Sequence, residues 1–441
     1  MYSIFLKSLI GLAIVLTGFV GFAQKQQPLN NYAYPDFILQ DTALCSLYDF
    51  VDFSKNNFHF YTENSPNFEY LYHQLDSMKR FQDRKLNFYH IGGSHIQADV
   101  YSNDIRLFLQ TSNIDLPGER GWVFPLNLAG TNNPASYRIT SPNYFKGYRV
   151  VGNKDKTIDF GTMGALVTCA DSVVHLKFEH KNTTSKPGFC KIKIFHNKGD
   201  FPYELNFGND EILVVQTIHH PEIGYTEIEF TDKIDSVNVY FSRTVSQRIE
   251  LELYGFQLLN EDPGISYNTI GINGAGLYSY LDCNRFEEQL KTYPPDFFAF
   301  SVGTNDANMP YDAFKPEVYR NNLEKMMQIA LRANPHCALL LTVPNDAYYK
   351  RKYLNRNVAR EREMIIELAK KYKMAVWDFY GIMGELGSSK IWMHKSLMRT
   401  DLVHFTSPGY HFKGELFIDA YLKFLLQMKE YFAVDTAAVK E

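Results

Sequence analysis

The stretch Leu86-Asn87-Phe88-Tyr89-His90-Ile91-Gly92-Gly93-Ser94-His95 decides how this chain is read. A short apolar run ends in two glycines and a serine, and a helical period resumes at Val100 to Gln110. Apolar runs of this length bounded by turn residues are buried strands, and a strand followed by a helix is the repeating unit of a parallel sheet. The same unit recurs downstream. Runs at Ser266 to Ile272, Phe297 to Val302, Ala338 to Val343 and Met374 to Asp378 alternate with helix-period segments at Leu277 to Thr292, Lys315 to Ala333, Asn357 to Lys371 and Gly409 to Tyr431, and another helix, Asn67 to Arg80, precedes the first strand. The expected fold is α/β: a three-layer α/β/α unit around a parallel five-stranded sheet.

A different pattern interrupts it. From about Tyr144 to Leu259 the alternation has the strand period, as in His175 to His180, Lys191 to Phe195, Tyr225 to Phe230, Val237 to Phe241 and Arg248 to Tyr254. Turn residues such as Lys186-Pro187-Gly188 and Asn197-Lys198-Gly199 separate these runs. Many short strands with turns between them predict an inserted β-sandwich. The expected division is 24–143 and 263–441 for the α/β unit and 144–262 for the insertion. Two domains also suit 441 residues, of which 45% are hydrophobic.

The N-terminus, Met1 to Ala23, has Lys7, an apolar stretch from Leu9 to Val20 and small residues at Gly21 and Ala23, the pattern of a cleaved export signal. The mature chain is then expected in the periplasm or outside the cell, with no membrane span. With 45 basic and 49 acidic residues and no long basic run, nucleic acid is not expected as a partner. Five cysteines, at 45, 169, 190, 283 and 337, lack the spacing of a metal site, and Cys169 with Cys190 is the one disulfide pairing suggested. His219-His220 has no evident acidic or cysteine partner for zinc.

Chemistry-bearing residues fall at the predicted strand ends. Ser94 stands at a strand-to-helix turn on the carboxyl edge of the sheet, the edge where open α/β sheets bind ligands. Gly271-Ile272-Asn273-Gly274-Ala275-Gly276 ends the second strand, and Gly303-Thr304-Asn305-Asp306 ends the third. An asparagine there supplies an amide donor for an oxyanion, and Gly274 a backbone N–H. Near the C-terminus, Asp401-Leu402-Val403-His404 sets a carboxylate three residues before an imidazole, the spacing at which the acid orients the base on a tight turn. Asp378, with no histidine close behind it, reads as a strand-end cap, and His95 as a structural neighbour of Ser94. Each motif alone is weak; four in order, each at a strand end or in the last loop, are specific.

Together these residues resemble the SGNH (GDSL-like) hydrolase superfamily, whose four blocks match Ser94, Gly274, Asn305 and His404. The resemblance covers about 86–143 and 264–431. It implies Ser94 as nucleophile, His404 as base, Asp401 as its partner and an oxyanion hole from Ser94, Gly274 and Asn305, with no metal or cofactor. One departure is that the usual Gly-Asp-Ser reads Gly92-Gly93-Ser94 here. Further context, Gly93 to Asp99, Gly118-Glu119-Arg120-Gly121-Trp122 and Thr131-Asn132-Asn133-Pro134, looks like bacterial members with an inserted carbohydrate-binding-module-like β domain, among them peptidoglycan O-acetylesterases. The resemblance therefore implies a secreted acetylesterase acting on peptidoglycan or another acetylated polysaccharide. An O-acetyltransferase with the same triad and a non-catalytic glycan-binding protein are the alternatives.

Overall fold

The computed structural model describes residues 48–112, 116–181, 188–208 and 213–438. The N-terminal segment Met1 to Ala23, Cys45 and the Lys186-Pro187 turn lie outside the described residues. Among the described residues no helix is long and apolar enough to cross a membrane.

The main sheet contains β1 (Phe58–Phe60), β2 (Lys85–Gly92), β3 (Gly264–Gly271), β4 (Phe297–Ser301), β5 (Ala338–Val343) and β6 (Ala375–Asp378), in the spatial order β1-β6-β5-β4-β2-β3. Five strands run parallel, and β1 pairs antiparallel with β6 through Phe58 opposite Trp377. The sheet therefore has six strands rather than the expected five. The extra one is three residues long, too short for a periodicity to register, and is defined by what it pairs with.

Helices α1 (Pro66–Phe81), α2 (Tyr101–Thr111) and α5 (Ser407–Ala438) cover one face, and α3 (Pro316–Ala333) with α4 (Asn357–Tyr372) covers the other. Covered on both sides, β4 and β5 are apolar almost throughout: every residue of β5 is buried, as are four of the five in β4. Phe68 of α1 and Phe88 of β2 meet Phe297 at ring separations of 6.3 and 4.8 Å, and Phe417 of α5 packs edge-on against Trp377. Truncating such a ring typically costs about 3–5 kcal/mol. Pro66 and Pro316 sit in the first turns of α1 and α3, where the missing N–H is no loss.

Two antiparallel sheets, one of seven strands and one of four, occupy the region between β2 and β3. Their faces meet through Phe178 against Phe189 and Phe207 against Phe230, at ring separations of 5.9 and 5.1 Å. Two strands that precede position 144 already belong to them: Gly121–Val123 pairs with Leu251–Leu259, and Tyr137–Thr140 pairs with Val173–His180. Strand membership is fixed by pairing, and these short segments carry too few alternations to announce it.

Two other expectations are corrected. Cys169 and Cys190 are free thiols. The strand Leu251–Leu259 lies between theirs, pairing Leu251 with Cys169 at one end and Leu259 with Lys191 at the other. Two strand spacings, about 9.5 Å, already exceed the reach of a disulfide. The single helix expected over Leu277 to Thr292 is two, Leu277–Leu281 and Phe286–Leu290. Between them the Arg285 N–H donates to Phe160 O at 3.0 Å, and the Arg285 guanidinium donates to His196 O and Ile223 O. The break thus fastens the antiparallel sheets to the α/β unit.

Candidate active site

The residues singled out at the strand ends converge on the carboxyl edge of the main sheet. Ser94 opens a four-residue helix, Ser94–Gln97, directly after β2. Gly92 is required there, because a β-carbon would stand 2.4 Å from Ile96 Cγ1 and 2.9 Å from Ser301 O. Ser94 Oγ lies 2.8 Å from His404 Nε2, and His404 Nδ1 lies 2.8 Å from Asp401 Oδ2, although Ser94 and His404 are 310 positions apart. The turn that presents Asp401 and His404 depends on Leu402, which adopts a positive φ of 57°. The other Asp401 oxygen accepts the backbone N–H groups of Val403 and His404 at 3.0 and 2.9 Å. Burial alone pushes the Asp401 carboxyl up, but these bonds and the one to the imidazole outweigh it and hold it below the usual carboxylate value. An ionised Asp401 fixes the imidazole with Nε2 toward Ser94.

Gly274, after β3, has a φ of 83°, a conformation glycine adopts at little cost. Its neighbour Asn273 is clamped: the Asn273 N–H donates to Gln97 Oε1 at 2.7 Å, and its side-chain amide to Thr131 Oγ1 at 3.1 Å. Gln97 donates in turn to Thr131 Oγ1 and Asn132 O, each at 2.8 Å. Gln97, Thr131 and Asn132 belong to stretches the sequence marked only as context. No spacing rule pointed to their job of locking the Gly274 loop to the Ser94 helix.

Asn305 completes the ring of donors. Its amide nitrogen donates to Ala275 O at 2.9 Å, which leaves the second N–H of the same group for another acceptor. A β-carbon at Gly93 would stand 2.9 Å from that nitrogen and 3.2 Å from Ala275 O. The glycine in place of the usual aspartate therefore gives Asn305 its room. Gly93→Ala is expected to fold, because the nearer group it crowds is a side-chain end and the Ala275 carbonyl need give only slightly, yet to displace the donor. The kcat should fall about tenfold to a hundredfold, while a thermal melt shifts little. An unchanged kcat would remove Asn305 from the reaction.

Beside Asn305, Asp306 accepts the Leu277 N–H at 3.1 Å and is pushed up to about 7 by burial. Asp99, at the end of the Ser94 turn with φ 48°, is buried against Arg106, Arg120 and Ser136. Burial pushes its carboxyl up, and the two guanidinium groups overcome that and hold it ionised. This cluster ties the Gly93 to Asp99 and Gly118 to Trp122 motifs together.

The secondary candidates have structural partners. His95 Nδ1 bonds the Tyr410 hydroxyl at 3.0 Å, with its ring 5.3 Å from that of His404; burial, then the charge of Lys413, push its pKa well down. Asp378 caps the next turn by accepting the Gly381 N–H at 3.0 Å and pairs with Arg362. His219 Nδ1 bonds Thr226 Oγ1 at 2.8 Å. Among the described residues no cluster of three or more His, Cys, Asp or Glu side chains is arranged to hold a metal ion.

Behind His95, Lys413 of α5 is buried with its ammonium 4.3 Å from the ring centre of Phe379, 5.0 Å from Tyr101 and 5.4 Å from Phe405. Burial pushes its pKa down to about 7, while the ring faces attract the cation and oppose that shift. An unfolded chain keeps this proton to about 10.4, so between the two values it binds more protons than the native state, and stability rises with pH there. Lys413→Met should therefore raise stability at pH 7 by about 1–3 kcal/mol, a gain that shrinks toward pH 10. Urea unfolding of both proteins at pH 7 and 9.5 measures it; a less stable variant at both would mean that the rings outweigh desolvation.

Comparisons with known proteins find one matching family model and several solved structures of related fold. Residues 252–412 match the model of the GDSL-like Lipase/Acylhydrolase family, a span that contains Gly274, Asn305, Asp401 and His404 but begins beyond Ser94. A solved peptidoglycan O-acetylesterase superposes with a TM-score of 0.67 at 17% identity, covering 86% of this chain and 98% of that one. An acetyl xylan esterase (TM-score 0.29, 19% identity, 35% of this chain and 81% of that one) and a lipase/acylhydrolase from Enterococcus faecalis (0.27, 19%, 35% and 75%) also match. Residues 252–412 thus resemble a GDSL-like lipase/acylhydrolase domain, and the chain shares its fold with the solved peptidoglycan O-acetylesterase.

Proposed function

We propose that this protein is an exported serine esterase that removes O-acetyl groups from a polysaccharide, with peptidoglycan as the first candidate. The observation that carries this reading is the hydrogen-bonded series from Ser94 Oγ through the His404 ring to Asp401. His404 Nε2 takes the Ser94 proton as Oγ attacks the ester carbonyl, and Asp401 stabilises the resulting imidazolium. The Ser94 and Gly274 N–H groups and the free N–H of Asn305 receive the oxyanion. Collapse expels the sugar hydroxyl, protonated by His404. Water, activated by the same base, then attacks the acetyl-enzyme and releases acetate. In this reading residues 24–143 and 263–441 carry the chemistry, 144–262 contribute to polysaccharide binding, and Met1 to Ala23 direct export.

The test is acetate release by the mature protein, with Ser94→Ala as control, from O-acetylated peptidoglycan and from acetylated xylan. Release from peptidoglycan that vanishes in the variant supports the reading. Release from neither polymer, with no hydrolysis of an aryl acetate, would sink it.

A further inference from the structure

The loop between β5 and α4 carries a feature that the triad does not use. It folds into a small hairpin, Tyr348–Tyr349 paired with Tyr353–Leu354, with Tyr348 opposite Leu354 and Tyr349 opposite Tyr353. Its tip, Lys350-Arg351-Lys352, is exposed and holds three successive cations. Lys350 and Arg351 both have positive φ, 51° and 59°, a conformation that two-residue hairpin turns usually assign to asparagine and glycine. Cations stand where other residues fit the turn better.

Its position places it at the site. The hairpin follows the carboxyl end of β5, as Ser94, Gly274 and Asn305 follow β2, β3 and β4. The Tyr348 N–H donates to Leu402 O at 3.1 Å, and the Asn345 amide donates to Val403 O at 3.3 Å. The hairpin is therefore bonded to Leu402, and the loop leading into it to Val403, the two residues that lie between Asp401 and His404. Tyr353 is 53% exposed, with its ring centre 6.5 Å from that of Tyr349. Among the described residues, the ammonium groups of Lys350 and Lys352 rest on the faces of Tyr349 and Tyr353, each at 5.3 Å, instead of on carboxylates. Asp346, at the base of the hairpin, is buried and accepts the N–H groups of Gly387 and Ser389 at 3.1 and 3.0 Å.

The exposed Tyr353 ring suits the C–H faces of sugar rings, and cations that rest on rings and not on carboxylates suit the carboxylates of a ligand. An acidic glycan offers both along one chain. We propose that the 348–354 hairpin is a docking subsite for a glycan whose repeating units carry carboxylates, holding the polymer beside the triad. This rests on the esterase reading and names its substrate class.

The test separates the two. In the Ser94→Ala background, co-sedimentation with insoluble peptidoglycan, which bears peptide carboxylates, is compared with co-sedimentation with neutral acetylated xylan. The combined Lys350→Gln, Arg351→Gln and Lys352→Gln variant should bind peptidoglycan at least about fivefold more weakly at low salt. The difference should close near about 0.5 M NaCl, and xylan binding should not change. Replacement of Lys350 and Lys352 by arginine should restore the parent affinity, and the triple change in the Ser94 protein should leave aryl acetate kcat/KM unaltered. Equal binding by parent and variant, equal loss on both polymers, or no binding of peptidoglycan by the parent would overturn the subsite. Absence of aryl acetate hydrolysis by the parent would instead overturn the esterase reading and leave the sedimentation result standing.

Discussion

Hydrolysis of an aryl acetate by Ser94→Ala is expected to fall by at least about 10⁴-fold in kcat/KM. The size follows from the connectivity. In the proposed mechanism the hydroxyl bonded to His404 Nε2 is the nucleophile, and without it His404 can act only on a water. Removing one partly exposed hydroxyl leaves no buried donor unsatisfied, so the thermal midpoint should stay within a few degrees. Kinetics and a melt on the same preparation therefore distinguish loss of the nucleophile from loss of the fold. If Ser94→Ala kept more than about a hundredth of the parent rate, the nucleophile would be another group and the triad geometry incidental.

The next largest effect belongs to Asn305→Ala, with an expected loss of about 10²- to 10³-fold, mostly in kcat. The Asn305 amide already satisfies Ala275 O with one hydrogen, so the protein holds it in place before substrate arrives. A donor fixed in advance costs no reorganisation when negative charge develops on the carbonyl oxygen, and it gains most of its interaction in the transition state. A change confined to KM would mean that Asn305 binds the ground state and would contradict its oxyanion role. Gly93→Ala perturbs the same donor by crowding instead of deletion, so its loss should be smaller and should not add to that of Asn305→Ala. The double variant should resemble Asn305→Ala alone, because the two changes act on one group.

The residues that gather at the strand ends were legible for a physical reason. Parallel strands buried on both faces are short and mostly apolar, so the glycine-rich turns at their ends stand out. Gly92-Gly93-Ser94, Gly274 and Gly303-Thr304-Asn305 each mark such an end, and Asp401 and His404 lie close enough in sequence for a single turn to unite them. What supports these residues was not legible. Gln97 and Thr131 reach Asn273 through side-chain bonds across loops that no periodicity relates. Lys413 is one of several polar residues in the segment Gly409 to Tyr431, and its ring neighbours single it out only in the folded chain.

The sequence by itself determined the alternation of parallel strands and crossover helices, the antiparallel interruption and the identity of the residues at the strand ends. These are local properties of burial and turn chemistry, written in a handful of consecutive side chains. Only the tertiary structure decided the sixth strand at Phe58–Phe60, the separation of Cys169 from Cys190, the break at Arg285, the recruitment of Gly121–Val123 and Tyr137–Thr140 into the antiparallel sheets, and the meeting of Ser94 with His404. Each of these depends on which distant segment pairs with which, and strand pairing is a choice among partners that are equally suitable in sequence. Packing of the whole chain makes that choice, by burying both faces of the main sheet at once.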